Sequence, residues 1–161
     1  MSNPETLIEI EHVAAGPRLE EVRELFREYA SSLDFDLAFQ GFAEELANLP
    51  GEYAAPGGTL LLALVEAGTA GCVAVRRFDE DTCEMKRLFV RGQFRGRGCG
   101  KVLAQRAIEW ANGAGYRRML LDTIPSMVRA QNLYLDLGFK DIGSYRFNPI
   151  EGARFMELRW R

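Results

Sequence analysis

The 161-residue chain is poor in metal-binding side chains, with a single histidine, His12, and three cysteines, Cys72, Cys83 and Cys99. No two cysteines form a C-x-x-C pair, so a structural or catalytic metal site has little to be built from. The odd count speaks against a disulfide framework and for free thiols in a reducing compartment, read here as the cytoplasm. Long hydrophobic runs are also missing. The longest, Leu60 to Val65, is far too short to span a bilayer, and the opening MSNPETLIEIEH has neither the basic start nor the apolar stretch of a secretory signal. Nor is there an excess of positive charge: 20 Lys and Arg face 23 Asp and Glu, a net charge of −3. The one basic cluster, Arg91 to Lys101, is short and glycine-rich, which suits a small anion better than a nucleic-acid backbone. Repeats, low-complexity tracts and linkers are absent too. With 47% hydrophobic residues, the chain reads as a single soluble domain spanning 1–161.

Periodicity then orders the elements. Thr6 to Val13 alternates as a strand, and Gly16-Pro17 opens an amphipathic helix with Leu19, Val22, Leu25, Phe26 and Tyr29 on one face. A second helix is expected over about 36–48, stopped by Leu49-Pro50-Gly51. Thr59–Glu66, Gly71–Phe78 and Thr82–Val90 are apolar runs joined by short turns, an antiparallel meander. A glycine loop follows, then a helix from about Gly98 to Ala111 and a short strand, Arg118 to Asp122. The chain ends with a helix over about Ser126–Leu137 and two strands, around Asp141–Arg146 and Arg154–Trp160. Helices and strands mixed in this way predict one α+β domain.

The loop, Arg95-Gly96-Arg97-Gly98-Cys99-Gly100-Lys101, lies between a strand and a helix, the setting in which backbone N–H groups and a helix dipole receive phosphate. A Walker loop would need glycine at Arg95 and a hydroxyl at Val102. A dinucleotide fingerprint would need glycine at Lys101 or Leu103. Neither pattern is met. A glycine-rich helix start that serves tight packing alone is the competing reading.

R-x-x-G-x-G fits, and on it the chain resembles the GCN5-related N-acetyltransferases, the acyl-CoA-dependent GNAT superfamily. The segment Ala130-Gln131-Asn132-Leu133-Tyr134-Leu135-Asp136-Leu137-Gly138-Phe139 is similar to that family's A-x-x-L-Y-x-x-x-G-F, and the order of elements matches along nearly the whole chain. The resemblance implies a single-domain GNAT fold, a mixed and mostly antiparallel sheet flanked by about four helices. It also implies that coenzyme A lies with its pyrophosphate on Arg95, Gly96, Arg97, Gly98, Cys99, Gly100 and Lys101. Leu88, Phe89 and Val90 would bind the cofactor from the strand before the loop, and Asn132 would contact it from the last helix. One departure stands out: Met127 occupies the place of a frequent asparagine contact, leaving Ser126 or Asn132 as substitutes.

Acetyl transfer to an amine requires a proton acceptor, stabilisation of the carbonyl oxygen and a proton for the departing thiolate. By resemblance Glu84, eleven positions before Arg95, is the base. Strand alternation would place it on one face with Lys86, Leu88 and Val90, and an ion pair with Lys86 is the alternative. A backbone N–H of Leu88 or Val90 would meet the oxygen, freed by a bulge around Arg87 to Phe89. Tyr134 would protonate the thiolate, or serve only as a core aromatic. Cys99 belongs to the phosphate end of the cofactor, so transfer is expected to be direct.

The acceptor, a primary amine of a small molecule or peptide, would lie between Tyr29–Gln40 and Phe147–Phe155 by the same resemblance. Asp34, Asp36 and Glu151 are its candidate charges, Phe35 and Phe39 its walls, and Arg146 and Arg154 candidates for a substrate carboxylate. A homodimer through the last strand is possible from its aromatics. The rival function is a non-catalytic acyl-CoA-binding regulatory module on the same fold.

Overall fold

Residues 60–65 are apolar throughout, so the strand they form has to be covered on both faces. In the computed structural model, which describes residues 7–160, that strand is β2 (Thr59–Val65), buried along its whole length. It lies in one sheet with β1 (Ile8–His12), β3 (Gly68–Arg77), β4 (Thr82–Val90), β5 (Arg118–Thr123), β6 (Lys140–Ile142) and β7 (Arg154–Arg159). The order across the sheet is β1-β2-β3-β4-β5-β7-β6. Every neighbouring pair is antiparallel except β4 and β5.

Helix α1 (Pro17–Ser32) and the short α2 (Phe42–Ala47) pack with one layer of core, in which Val22, Leu25 and Phe26 meet Leu60, Leu62, Cys72 and Ala74. The other layer belongs to α3 (Cys99–Gly113) and α4 (Val128–Asp136). There Ala104, Ala107 and Ala111, spaced on one face of α3, let the helix approach Leu61, Val73 and Met85 closely. This is the α+β fold expected, with a mixed, mostly antiparallel sheet and four α-helices. All three cysteines are free and buried, and no described helix is long and apolar enough to cross a membrane.

Three boundaries differ from expectation for local reasons. The helix expected over 36–48 is broken by Gly41, which at φ 68° and ψ 34° ends a 3-10 turn (Leu37–Gln40) before α2 starts. The β2–β3 hairpin turns on Glu66 and Ala67, both at positive φ, so β2 ends one residue and β3 begins three residues earlier than expected. The strand expected over Asp141–Arg146 stops at Ile142, and 143–153 runs irregularly back across the sheet. Thr6, expected to begin the first strand, lies outside the described residues. The last strand, β7, is interior, held by β5 on one side and β6 on the other, so it is not a free edge on which a second copy could pair.

Candidate active site

The parallel pair β4–β5 comes apart. It is paired at Thr82–Arg118, Cys83–Met119 and Glu84–Leu120, and no further. Beyond Glu84, β4 stays with β3 while β5 stays with β7. On β4 the register against β3 shifts between Cys72 and Ala74, so that Arg87 and Leu88 together face Val73. This bulge has Arg87 at φ 62°, a left-handed conformation costly for a non-glycine residue. It persists because the Arg87 guanidinium is held from three sides. Its Nε and Nη2 donate to Glu45 at 2.9 and 3.1 Å, its Nη1 donates to the Gln40 side chain at 2.9 Å, and it lies over the Phe42 ring at 5.3 Å.

The bulge resets side-chain alternation, which corrects the expected shared face. Leu88 and Val90 pack with Met85 on the α3 side, while Phe89 packs on the α1 side edge-to-face with Tyr29 at 6.2 Å. The backbone is reset with it. Arg91 N–H donates to Ala70 O on β3 at 2.8 Å, so by alternation the N–H groups of Leu88 and Val90 point away from β3, into the gap. The end of β4 is anchored by Arg91, which donates to Glu28 of α1 at 2.6 and 2.9 Å.

The gap is the floor of a groove of about 630 Å³ whose walls include Leu88, Phe89, Val90, Arg95, Gly96, Gly98, Cys99 and Gly100. Gly98, at φ 86°, caps α3 with no side-chain hydrogen bond, and the first helical bond found here runs from Val102 N–H to Gly98 O. The N–H groups of Cys99, Gly100 and Lys101 are therefore without helical acceptors at the positive end of the dipole. The backbone geometry needed for a diphosphate is present. Two of the expected side chains are turned elsewhere: Arg97 stacks on Phe94 at 5.7 Å, and Lys101 is exposed outside the groove. Asn132 is also exposed and off the groove, on the outer side of α4. Ser126, Met127 and Arg129, at the start of that helix, line the groove instead. Burial pushes the Cys99 thiol up, against a nucleophilic role.

The groove continues, past Tyr29, Leu88 and Met127, into an inner chamber of about 40 Å³. Tyr134 lines it, its ring 5.7 Å from Phe139, and burial pushes its phenol well up, so the hydroxyl keeps its proton at neutral pH. Phe35 and Phe39 are walls, as expected, tilted together at 6.2 Å. Gln40, Lys86, Arg87, Asp122, Thr123 and Asn148 complete the polar lining. Asp122 is the one carboxylate among the lining residues and accepts from Asn148 Nδ2 at 3.3 Å.

Glu84 lines neither space. It is fully buried; Oε1 accepts from Arg76 Nε at 2.9 Å, and Oε2 from Tyr145 at 2.7 Å with Arg146 at 2.5 Å. Burial raises its carboxyl, but the charges of Lys86, Arg76 and Arg146 outweigh that and hold it below the usual range. A carboxylate held in this way is a poor proton acceptor, so its place as base is corrected to that of an anchor. The irregular 143–153 segment is tied down through it. Arg146 is thereby taken from any substrate, and Arg154 pairs with Asp141 and reaches Gln131 at 3.3 Å. Asp34 and Glu151 are exposed off the chamber, and Asp36 caps the 3-10 turn through Ala38 N–H at 2.9 Å.

Sequence places Tyr29 on a helix face and in the acceptor region, and offers Lys86 as an alternative ion-pair partner of Glu84, while Asp122 and Thr123 are not singled out by it. Their signal is position, since they close the carboxyl end of β5, where parallel neighbours that part leave room for a ligand.

Known proteins resemble this arrangement. Residues 19–139 match the acetyltransferase (GNAT) family. An uncharacterized N-acetyltransferase of Schizosaccharomyces pombe is 40% identical over 153 residues, 94% of each chain. The N-acetylaspartate synthetase of Rattus norvegicus is 37% identical over 90 residues, 55% of this chain and 30% of the relative. A Salmonella typhimurium acetyltransferase solved with acetyl-CoA superposes with a TM-score of 0.73 at 16% identity, covering 96% of this chain and 94% of that one. The splayed parallel strands, the uncapped glycine loop and these similarities agree: the chain belongs to the GNAT acetyltransferase family.

Proposed function

We propose that the protein transfers the acetyl group of acetyl-CoA directly to a primary amine, of a small molecule in preference to a peptide. The observation that carries this is the unpaired edge of β4, with Leu88 and Val90 N–H groups turned into a groove that ends at the free N–H groups of α3. Acetyl-CoA supplies the activated acyl group and a thiolate that can leave. The amides of Cys99, Gly100 and Lys101 hold the diphosphate, with Arg95 adding charge from the groove wall. A Leu88 or Val90 N–H meets the carbonyl oxygen as charge builds on it. Asp122 receives the amine and its proton, and Tyr134 returns a proton to sulfur. Burial that raises the phenol raises a thiol in the same place, since both anions lose solvation, so the transfer stays matched.

The small chamber favours a small acceptor: about 40 Å³ corresponds to roughly three water positions at ~10–15 Å³ each. The relative named N-acetylaspartate synthetase points the same way. The rival reading as a binding module has Met127, in place of the frequent asparagine, on its side; Asp122 and Tyr134 beside the acyl end of the groove weigh against it.

Calorimetry and thiol release test this together. Acetyl-CoA is expected to bind one-to-one, and thiol to be released only when an amine is added. Binding without release across polyamines, amino acids, aminoglycosides and lysine peptides would favour the binding module. Absence of binding would remove the proposal.

A further inference from the structure

We infer that the acceptor is an aminocarboxylic acid, held by its carboxylate on Lys86 and by its amine on Asp122. This rests on the acetyl-transfer reading of the same site and adds the substrate class. Lys86 is buried, and burial together with the Arg87 charge pushes its ammonium down to about 8, so at neutral pH it still carries a charge that an anion beside it would stabilise. Its hydrogen-bond partner is neutral, the Gln40 side-chain oxygen at 2.9 Å. None of the ion pairs among the described residues includes it: Glu84 goes to Arg76 and Arg146, and Glu45 to Arg87. An ammonium has three donors, and this one spends one on Gln40.

Around it the chamber already holds its other charges in balance. Arg87 is neutralised by the two-pronged contact with Glu45, and Glu84, whose charge also acts on Lys86, is hydrogen-bonded to Arg76, Tyr145 and Arg146; Lys86 and Asp122 are thus the opposite charges lining the space that make no ion pair among the described residues. The Thr123 hydroxyl, buried and without a partner among the described residues, belongs to the same lining. A ligand carrying both –COO⁻ and –NH₃⁺ satisfies all three, whereas a plain amine would leave Lys86 unpaired. Arg146 and Arg154, the carboxylate binders expected from sequence, are consumed elsewhere, and Lys86 is the free cation in their stead.

The reaction balances with this acceptor. One ammonium proton passes to Asp122 and on to solvent, the freed nitrogen lone pair forms the C–N bond as the C–S bond breaks, sulfur takes the proton of Tyr134, and the second nitrogen proton restores the phenol. The products are an N-acetyl acid and CoA.

The test compares matched pairs, an amino acid and its carboxamide, in wild type and Lys86→Met, by thiol release. In wild type the acid is expected to exceed the amide in kcat/KM by at least ~10-fold, the scale of a charge-assisted hydrogen bond. In Lys86→Met the ratio should collapse toward one, mainly through KM for the acid. Amides or plain amines working as well as acids would overturn the inference while leaving acetyl transfer intact. An unchanged ratio in Lys86→Met would also overturn it. Acetyl-CoA binding with no turnover of any acid, carboxamide or plain amine overturns both readings, and the wild-type comparison stands even if the variant fails to fold.

Discussion

Replacing Tyr134 by Phe is expected to lower kcat roughly 10²–10³-fold while acetyl-CoA binding stays near wild type, as removal of a positioned general acid does. The change deletes one oxygen and leaves the ring on Phe139, so packing is preserved. Steady-state thiol release with calorimetric binding of acetyl-CoA separates the two effects. A Tyr134→Phe enzyme that turns over within a few-fold of wild type would make Tyr134 a core aromatic only, with water left to protonate the thiolate.

Removing Glu84 is expected to damage the fold before it touches the chemistry. Glu84→Ala leaves Arg76 and Arg146 facing an empty centre, and breaking a buried ion pair from one side costs about 3–5 kcal/mol. The lower end applies, since both arginines keep some solvent contact and Arg76 also holds Glu52 at 2.5 Å. Denaturant unfolding measures this, with a lower midpoint at unchanged slope. The pH dependence has a definite sign. The Glu84 carboxyl titrates lower in the folded than in the unfolded chain, so its contribution is complete above the unfolded value near ~4.3. It is lost as pH falls through the depressed folded value. Glu84→Ala should therefore flatten the acid limb of the stability curve. A stable Glu84→Gln enzyme whose pH–rate profile loses its acid limb would restore Glu84 as the base.

The contrast between these two residues shows what was legible in the chain. The cofactor groove could be read because its parts are local: Gly98 ahead of α3, an apolar strand just before it, and backbone donors that any side chain leaves available. Even the bulge at Arg87 was open to anticipation from the chemistry required. What sequence could not show is where side chains go after the strand slips by one. Strict alternation puts Glu84, Lys86, Leu88 and Val90 on one face, and the single left-handed residue Arg87 divides them. Glu84 then finds Tyr145 and Arg146, 61 and 62 positions away along the chain, through an irregular segment with no periodic signal. Lys86 finds Gln40 across a similar separation, and Asp122 closes the chamber from a strand paired with β4 only at its far end. Arg97 and Lys101 failed as groove residues for a simpler reason. A cation near a glycine loop has solvent and aromatic faces open to it as well as the phosphate.

The acceptor side is thus assembled from contacts distant in sequence, and the donor side from contacts close in sequence. That division lets the acceptor side vary separately: changes at 33–41 and 143–153 alter the chamber while leaving the backbone amides of Leu88, Val90 and α3 in place.

The most direct measurement is the mass of the acceptor after incubation with enzyme and acetyl-CoA, quantified beside the thiol released. The account predicts one acetyl group added to the amine for each thiol formed, with no acetyl retained on the protein. Thiol release without an acetylated acceptor, or acetyl found on Cys99, would contradict direct transfer in the chamber.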